Sequence, residues 1–174
     1  MMEKEIIVPE GVNIGIEGKK IKVSGPKGES ERVFKYFFDI KIEKKNDKIL
    51  VSSTSDRRKV KAMIGTIASH IKNMIIGVTK GFTYRMKVVY SHFPVNVKVE
   101  GEKVLIYNFL GEKRPRVAKI FGNTKVDVQG QDIILTGINK EDVGLTSSSI
   151  EQACRISKYD RRVFSDGIYP VSKE

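Results

Sequence analysis

The sequence is poor in the residues that do chemistry. Its 174 positions hold one cysteine and two histidines. The single thiol, Cys154, excludes an internal disulfide and fits a reducing compartment. No uncharged apolar run approaches the ~18 residues that a membrane span needs. The opening MMEKEIIVPE mixes both charge signs and lacks a signal peptide's apolar core. The chain therefore reads as soluble and cytoplasmic, with no membrane partner. Enzymatic parts are equally scarce. His70 falls at the border of a helical apolar stripe, and His92 sits in a turn beside Phe93-Pro94 with no acidic or cysteine neighbour. Cys154 lies on the apolar side of a second helical pattern, where a thiol serves as a small core residue. No spacing suits a metal, and neither a nucleophile elbow nor a phosphate-binding loop is written. The expectation is a non-enzymatic protein without cofactor or metal.

Acidic residues are outnumbered too. Lys and Arg total 32 against 21 Asp and Glu, a net charge of +11, in a chain that is 40% hydrophobic and 30% charged. It can build a core and keep an ionised surface. The imbalance points to a polyanionic partner, nucleic acid first and an acidic membrane surface second.

What is present is written twice. GVNIGIEGKKI, from Gly11 to Ile21, returns as PVNVKVEGEKV, from Pro94 to Val104. At that offset Asn13 falls on Asn96, Gly18 on Gly101, Lys20 on Lys103, Gly28 on Gly111 and Glu29 on Glu112. A period of this length is a duplicated module of small-domain size. Period-two alternation at Val12, Ile14 and Ile16 predicts a strand, and Gly18-Lys19 turns it into a hairpin. Gly25-Pro26-Lys27-Gly28 marks a second turn, Arg32–Phe38 a further strand, and Asn46-Asp47 another hairpin. The second copy repeats the order through Val95–Val99, Val104–Tyr107, Val117–Ile120, Val126–Val128 and Ile133–Leu135. After Thr54 the period changes to steps of three and four, at Val60, Met63, Ile64, Ile67, Ile71, Met74, Ile75 and Val78. That is an amphipathic helix, with Ser55 or Asp56 as its expected N-cap. The second copy offers a thinner stripe behind Asn139, weakened by Ser147-Ser148-Ser149. The fold class is α+β, a tandem duplication of an antiparallel sheet with one helix packed on a face. Domains are expected at residues 1–80 and 81–174.

Charge is segregated in the second copy. Lys80 to Lys125 holds ten basic and three acidic residues, whereas Val126 to Cys154 holds one lysine against five acids. The tail from Arg155 carries five basic and three acidic residues. A solvated face mixes its signs, so this pattern argues for an oriented polyanion contact. Lys113-Arg114-Pro115-Arg116 lies in a turn. The stretch CRISKYDRRVFSDGIYP interleaves Arg155, Lys158, Arg161 and Arg162 with Tyr159 and Phe164, residue types that engage phosphates and stack on unpaired bases. The apolar periodicity stops beyond Ile156, so residues 157–174 are expected to be mobile in the free chain.

Three stretches carry a resemblance: GVTKGFTYRMKVVYSHFPVNV (Gly77–Val97), NFLGEKRPRV (Asn108–Val117) and RRVFSDGIYP (Arg161–Pro170). They resemble the large-subunit ribosomal protein L-six family in its archaeal and eukaryotic branch, along essentially the whole chain. The tail pattern R-x-F-x-D-G-I-Y is the most specific of them. The resemblance implies a structural constituent of the ribosome, a monomer outside it. Such a protein binds 23S-type rRNA near the stalk base, the sarcin–ricin region and the translation-factor docking site, beside neighbouring ribosomal proteins. It also implies that the second domain and tail make most contacts. Lys80, Arg85, Lys87, Lys113, Arg114, Arg116, Arg155, Lys158, Tyr159, Arg161, Arg162 and Phe164 are the candidates. Two other readings stay open here: an assembly factor descended from the same module, and an RNA-modifying enzyme using backbone and carboxylates.

Overall fold

A computed structural model describes residues 2–35, 40–45, 48–157, 159–160 and 162–174. It divides into two compact units, Met1–Gly81 and Phe82–Glu174. The first runs β1 (Met2–Ile7), β2 (Asn13–Glu17), β3 (Lys20–Gly25), β4 (Gly28–Val33), β5 (Ile40–Lys45), β6 (Lys48–Ser53) and α1 (Arg58–Thr79). The second runs β7 (Phe82–Val89), β8 (Asn96–Glu100), β9 (Lys103–Tyr107), a 3₁₀ turn (Phe109–Gly111), β10 (Arg116–Lys119), β11 (Lys125–Gln129), β12 (Asp132–Gly137), α2 (Lys140–Ala153) and β13 (Gly167–Lys173).

The duplication is visible strand by strand. β2-β3-β4 form one antiparallel sheet of the first unit and β8-β9-β10 its counterpart in the second. The other sheet is β1-β6-β5 in the first unit and β11-β12-β7-β13 in the second. Each helix packs on strands of both sheets in its own unit. The apolar steps of α1 bury Val60, Ile64, Ile67, Ile71, Ile75 and Val78 against Ile21, Val23, Ile49 and Val51. Each such side chain contributes roughly 1.5–3 kcal/mol as an upper estimate. The shorter α2 buries Val143 and Ile150 against Val104, Ile106, Ile133, Leu135 and Ile168. Its hydroxyls also serve the sheet edge. Thr146 Oγ1 accepts from the Phe121 N–H at 3.0 Å, and Ser149 Oγ from the Lys119 N–H at 3.0 Å. Residues that are poor helix formers are kept here because a neighbouring backbone needs their oxygen.

Several expectations change. The N-cap of α1 is Arg57, with extended backbone and no side-chain cap bond, rather than Ser55 or Asp56. Ser55 instead donates its N–H to the Ser53 hydroxyl at 3.2 Å. At α2 the anticipated cap is in place: Asn139 Oδ1 accepts from the Glu141 N–H at 3.1 Å. The strand expected at Arg32–Phe38 starts earlier, at Gly28, directly after its turn. Its polar GESE start hides it from apolar alternation; the ladder to β3 sets its register, and the exposed pairs Lys22–Glu29 at 2.7 Å and Lys20–Glu31 at 2.9 Å lie across the two strands. Residues 36–39 and the Asn46-Asp47 turn lie outside the described residues. The largest correction is the tail. Residues 167–173 form β13, antiparallel to β7, with Ile168 at 1% exposure. β7 would otherwise offer an unpaired edge, and pairing it supplies the ordering that the tail's own composition lacks.

Candidate nucleic-acid interface

The basic turn of the second unit is an enlarged version of a turn in the first. In the first unit Val23 pairs with Ser30, and six residues connect them. In the second, the counterpart Ile106 pairs with Arg116, and nine residues connect them. The added length carries Lys113 and Arg114, both exposed. The loop holds two non-glycine residues at positive φ, Asn108 at 57° and Leu110 at 52°. Such backbone persists where surrounding contacts over-determine it. Those contacts are present: Phe109 and Leu110 are buried, and Asn108 Nδ2 donates to the Pro94 carbonyl at 3.1 Å.

Arg116 clamps the base of this loop. Its Nε and Nη2 donate to both Glu112 oxygens at 2.9 and 2.7 Å. Its Nη1 donates to the carbonyls of Ala153 at 2.9 Å and Arg155 at 3.0 Å. The guanidinium carbon lies 4.4 Å from the Phe109 ring centroid. The hydrogen bond it donates to Glu112 raises the arginine's pKa further, so the charge is fixed at any working pH. A guanidinium so committed has little left for a phosphate. Arg116 therefore joins the loop to the end of α2, and we take it out of the contact set expected from the sequence.

The tail closes the same end. Asp160 accepts the N–H groups of Arg162, Val163 and Phe164 through its side chain and carbonyl, at 2.9 to 3.1 Å. That turn places Phe164 4.9 Å from the Tyr159 ring and 6.2 Å from the His92 ring, centroid to centroid. A Cβ built on Gly111 would stand 3.2 Å from Phe93 Cε1, so the loop tip lies against that ring. Thus the turn at 91–94, the loop at 108–116 and the segment after α2 meet at one end of the second unit. Lys113, Arg114, Arg155, Tyr159, Arg162 and Phe164 are together there, with Tyr159 and Phe93 largely exposed. His92 and Phe93 were missed by the sequence reading, although an aromatic pair before Pro94 in one copy alone was a usable signal. Burial pushes the Cys154 thiol beneath this end up to about 12, which removes it from chemistry at neutral pH.

Other candidates lie elsewhere. Arg85 and Lys87 sit on the exposed side of β7, opposite Ile134 and Asp132 across the ladder. Lys80 is in the first unit, where its carbonyl accepts from the Lys27 ammonium. Lys27 also donates its N–H to the Val78 carbonyl at 2.9 Å, so the Gly25–Gly28 turn is a hairpin docked on α1. Lys158 and Arg161 lie outside the described residues. Among the described residues no cluster of His, Cys, Asp and Glu could hold a metal, and no helix is long and apolar enough to cross a membrane.

A doubled α+β module with bases and rings gathered at one end is the build of a nucleic-acid-binding protein rather than of a catalyst. The family model described as Ribosomal protein L6 matches residues 8–81 and 93–167, one segment on each copy. The chain belongs to this family of large-subunit ribosomal proteins, which are not enzymes. It is 51% identical over 170 residues to the large ribosomal subunit protein uL6 of Methanosarcina mazei, covering 98% of this chain and 96% of the relative. The protein of the same name from Methanocella arvoryzae is 53% identical over 171 residues, with 98% and 96% covered. That of Ignicoccus hospitalis is 52% identical over 171 residues, with 96% and 92% covered.

Proposed function

We propose that this chain binds 23S-type rRNA through the end of the second unit and stabilises the folded RNA near the stalk base, the sarcin–ricin region and the factor docking site. The observation that carries it is the enlarged β9–β10 connection. Three residues longer than its counterpart in the first unit, it presents Lys113 and Arg114 to solvent beside Arg155, Arg162, Tyr159 and Phe164. Bases at a rigid tip neutralise phosphates, while the neighbouring rings receive unpaired bases. Lys158 and Arg161 belong to the same contact set by sequence, and Arg85 and Lys87 form a second patch on the sheet. Lys80 stays in the contact set on the resemblance. Neighbouring large-subunit proteins near the stalk base are the expected protein partners.

Binding of the full chain to an rRNA fragment across a salt series tests this. Each phosphate contact contributes about 0.7–0.9 to the slope of log K against log salt. Replacing Lys113 and Arg114 together by alanine should flatten that slope by about 1.4–1.8. An unchanged slope removes the loop from the interface.

A further inference from the structure

Between the end of α2 and the segment leading to β13 lies a cleft of about 450 Å³, lined by Gln152, Cys154, Arg155, Phe164, Asp166 and Tyr169 among others. That volume is in the range of small-ligand sites. Asp166 is 1% exposed, and neither of its carboxylate oxygens has a hydrogen-bond partner. Buried carboxylates are normally satisfied, and an orphan in a native fold points to an absent partner. The local turn is built to hold it there. The Tyr169 hydroxyl donates to the Ser165 carbonyl at 3.1 Å, and Gly167 leaves room for that ring, since a Cβ would stand 2.8 Å from it. Arg155 lines the same cleft without bonding the carboxylate.

We propose that this cleft receives an unpaired guanine of the bound RNA. The inference rests on the rRNA reading above and names a base-specific subsite within it. A carboxylate accepts and cannot donate, so two adjacent oxygens call for two adjacent donors. Of the four RNA bases, guanine presents such a pair, N1–H beside the 2-amino group on its Watson–Crick edge. Adenine and cytosine place one amino group beside a ring acceptor, and uracil sets one N–H between two carbonyls. Phe164, half-buried at the mouth and tilted 49° against the Tyr159 ring, shifts to uncover the Asp166 carboxylate and lie against the base, and Asp166 then accepts both guanine donors. Arg155 meets the attached phosphate. A guanidinium from a neighbouring protein is the rival occupant, which Glu151 in the lining would also suit, but Phe164 and Tyr169 offer ring faces and Arg155 a phosphate partner, and these suit a nucleotide.

The full chain is titrated with the labelled RNA pentamers UUGUU, UUAUU and UUIUU, where inosine keeps N1–H and lacks the 2-amino group. A bidentate pair discriminates between bases by about five- to a hundredfold. We expect UUGUU to bind tighter than UUAUU by that factor, with UUIUU between them. Asp166→Asn should erase the ranking and leave the salt slope on a large rRNA fragment unchanged. The comparison of pentamers needs no variant, so it stands even where Asp166→Asn fails to fold. Equal binding of the three pentamers by a chain that still holds the rRNA fragment overturns the guanine site and leaves the rRNA reading intact. Loss of fragment binding as well overturns both. An arginine-containing peptide that binds the wild type, is lost in Asp166→Asn and outcompetes UUGUU would assign the cleft to a protein partner instead.

Discussion

The two copies meet the same problem at the end of their helix and solve it with different cations. The last carbonyls of a helix have no partner within it, and they carry its negative pole. In the first unit the Lys27 ammonium, from the β3–β4 turn, reaches the Lys80 carbonyl beyond α1. In the second, Arg116, from the β9–β10 connection, reaches the carbonyls of Ala153 and Arg155. The equivalent glutamates take different partners. Glu29 pairs across the strands with Lys22, both more than half exposed, whereas Glu112 grips Arg116, whose side chain is 22% exposed. Lysine closes a short turn from outside. Arginine, with its planar fork, can bind a carboxylate and two carbonyls at once, and so can anchor a longer loop. The two copies thus share a scaffold and differ in one clamp, and the longer clamped loop leaves Lys113 and Arg114 exposed.

The second asymmetry is β13, which has no counterpart among the described residues of the first unit, and breaking it should give the largest effect. Ile168→Ala removes a fully buried side chain from a strand that covers β7. A cost of about 2–5 kcal/mol is expected in urea unfolding of the second unit. Cys154 gives a unit-specific readout, because its buried thiol, pushed up to about 12, should react with iodoacetamide only on opening. Faster alkylation of Cys154 in Ile168→Ala is the expected result. A stability within about 0.5 kcal/mol of wild type would show that the tail does not pack as described.

The clamps come next. Arg116→Ala deletes hydrogen bonds to Glu112, Ala153 and Arg155, and should cost about 2 kcal/mol and loosen the loop. Arg116→Lys should recover little, since an ammonium cannot span a carboxylate and two carbonyls. Lys27→Ala should cost well under half as much, because its bond is exposed. Equal costs for the two alanine variants would erase the proposed difference between clamps.

Much of this was legible in the sequence, and the parts that were not share a cause. Alternating Ile14, Ile16, Ile21 and Val23 and the long apolar steps of α1 announce themselves because burial alone decides them. β4 begins before any apolar alternation because its GESE start is held by the backbone ladder to β3, which period-two apolarity does not register. The sequence predicts a mobile tail because Gly167–Lys173 has too little apolar content to fold by itself; β13 is ordered by an edge on β7, which lies far back in the chain at Phe82–Val89. Of the site, the basic loop and the aromatic tail were visible, but not the commitment of Arg116, which depends on carbonyls at the end of α2. Asp166 was quoted within a motif and given no role, since nothing in a sequence distinguishes a solvated aspartate from an orphaned one.

The smallest expected effect belongs to the exposed pairs of the first unit. Glu31 is held below the ordinary glutamate value of 4.5 chiefly by its hydrogen bond from Lys20, and Glu5 by its bond from Lys48. A depressed carboxylate pKa stabilises the fold above the unfolded value and loses that contribution as pH falls through the folded one. The contribution of Glu31 is therefore present at neutral pH and gone in acid. Lys22, raised by its bond to Glu29, behaves oppositely: its share is complete below 10.5 and lost as pH rises through the higher folded value. All these groups are exposed to water and screened by salt, so each is worth little. Glu31→Gln should lower the melting temperature slightly at pH 7, less as pH falls below 4.5, and less in 1 M salt than in dilute buffer. A drop at pH 7 matching that of Arg116→Ala would mean that the first unit's exposed pairs stabilise it as strongly as the second unit's half-buried Arg116 clamp. The contrast between the two copies would then fail.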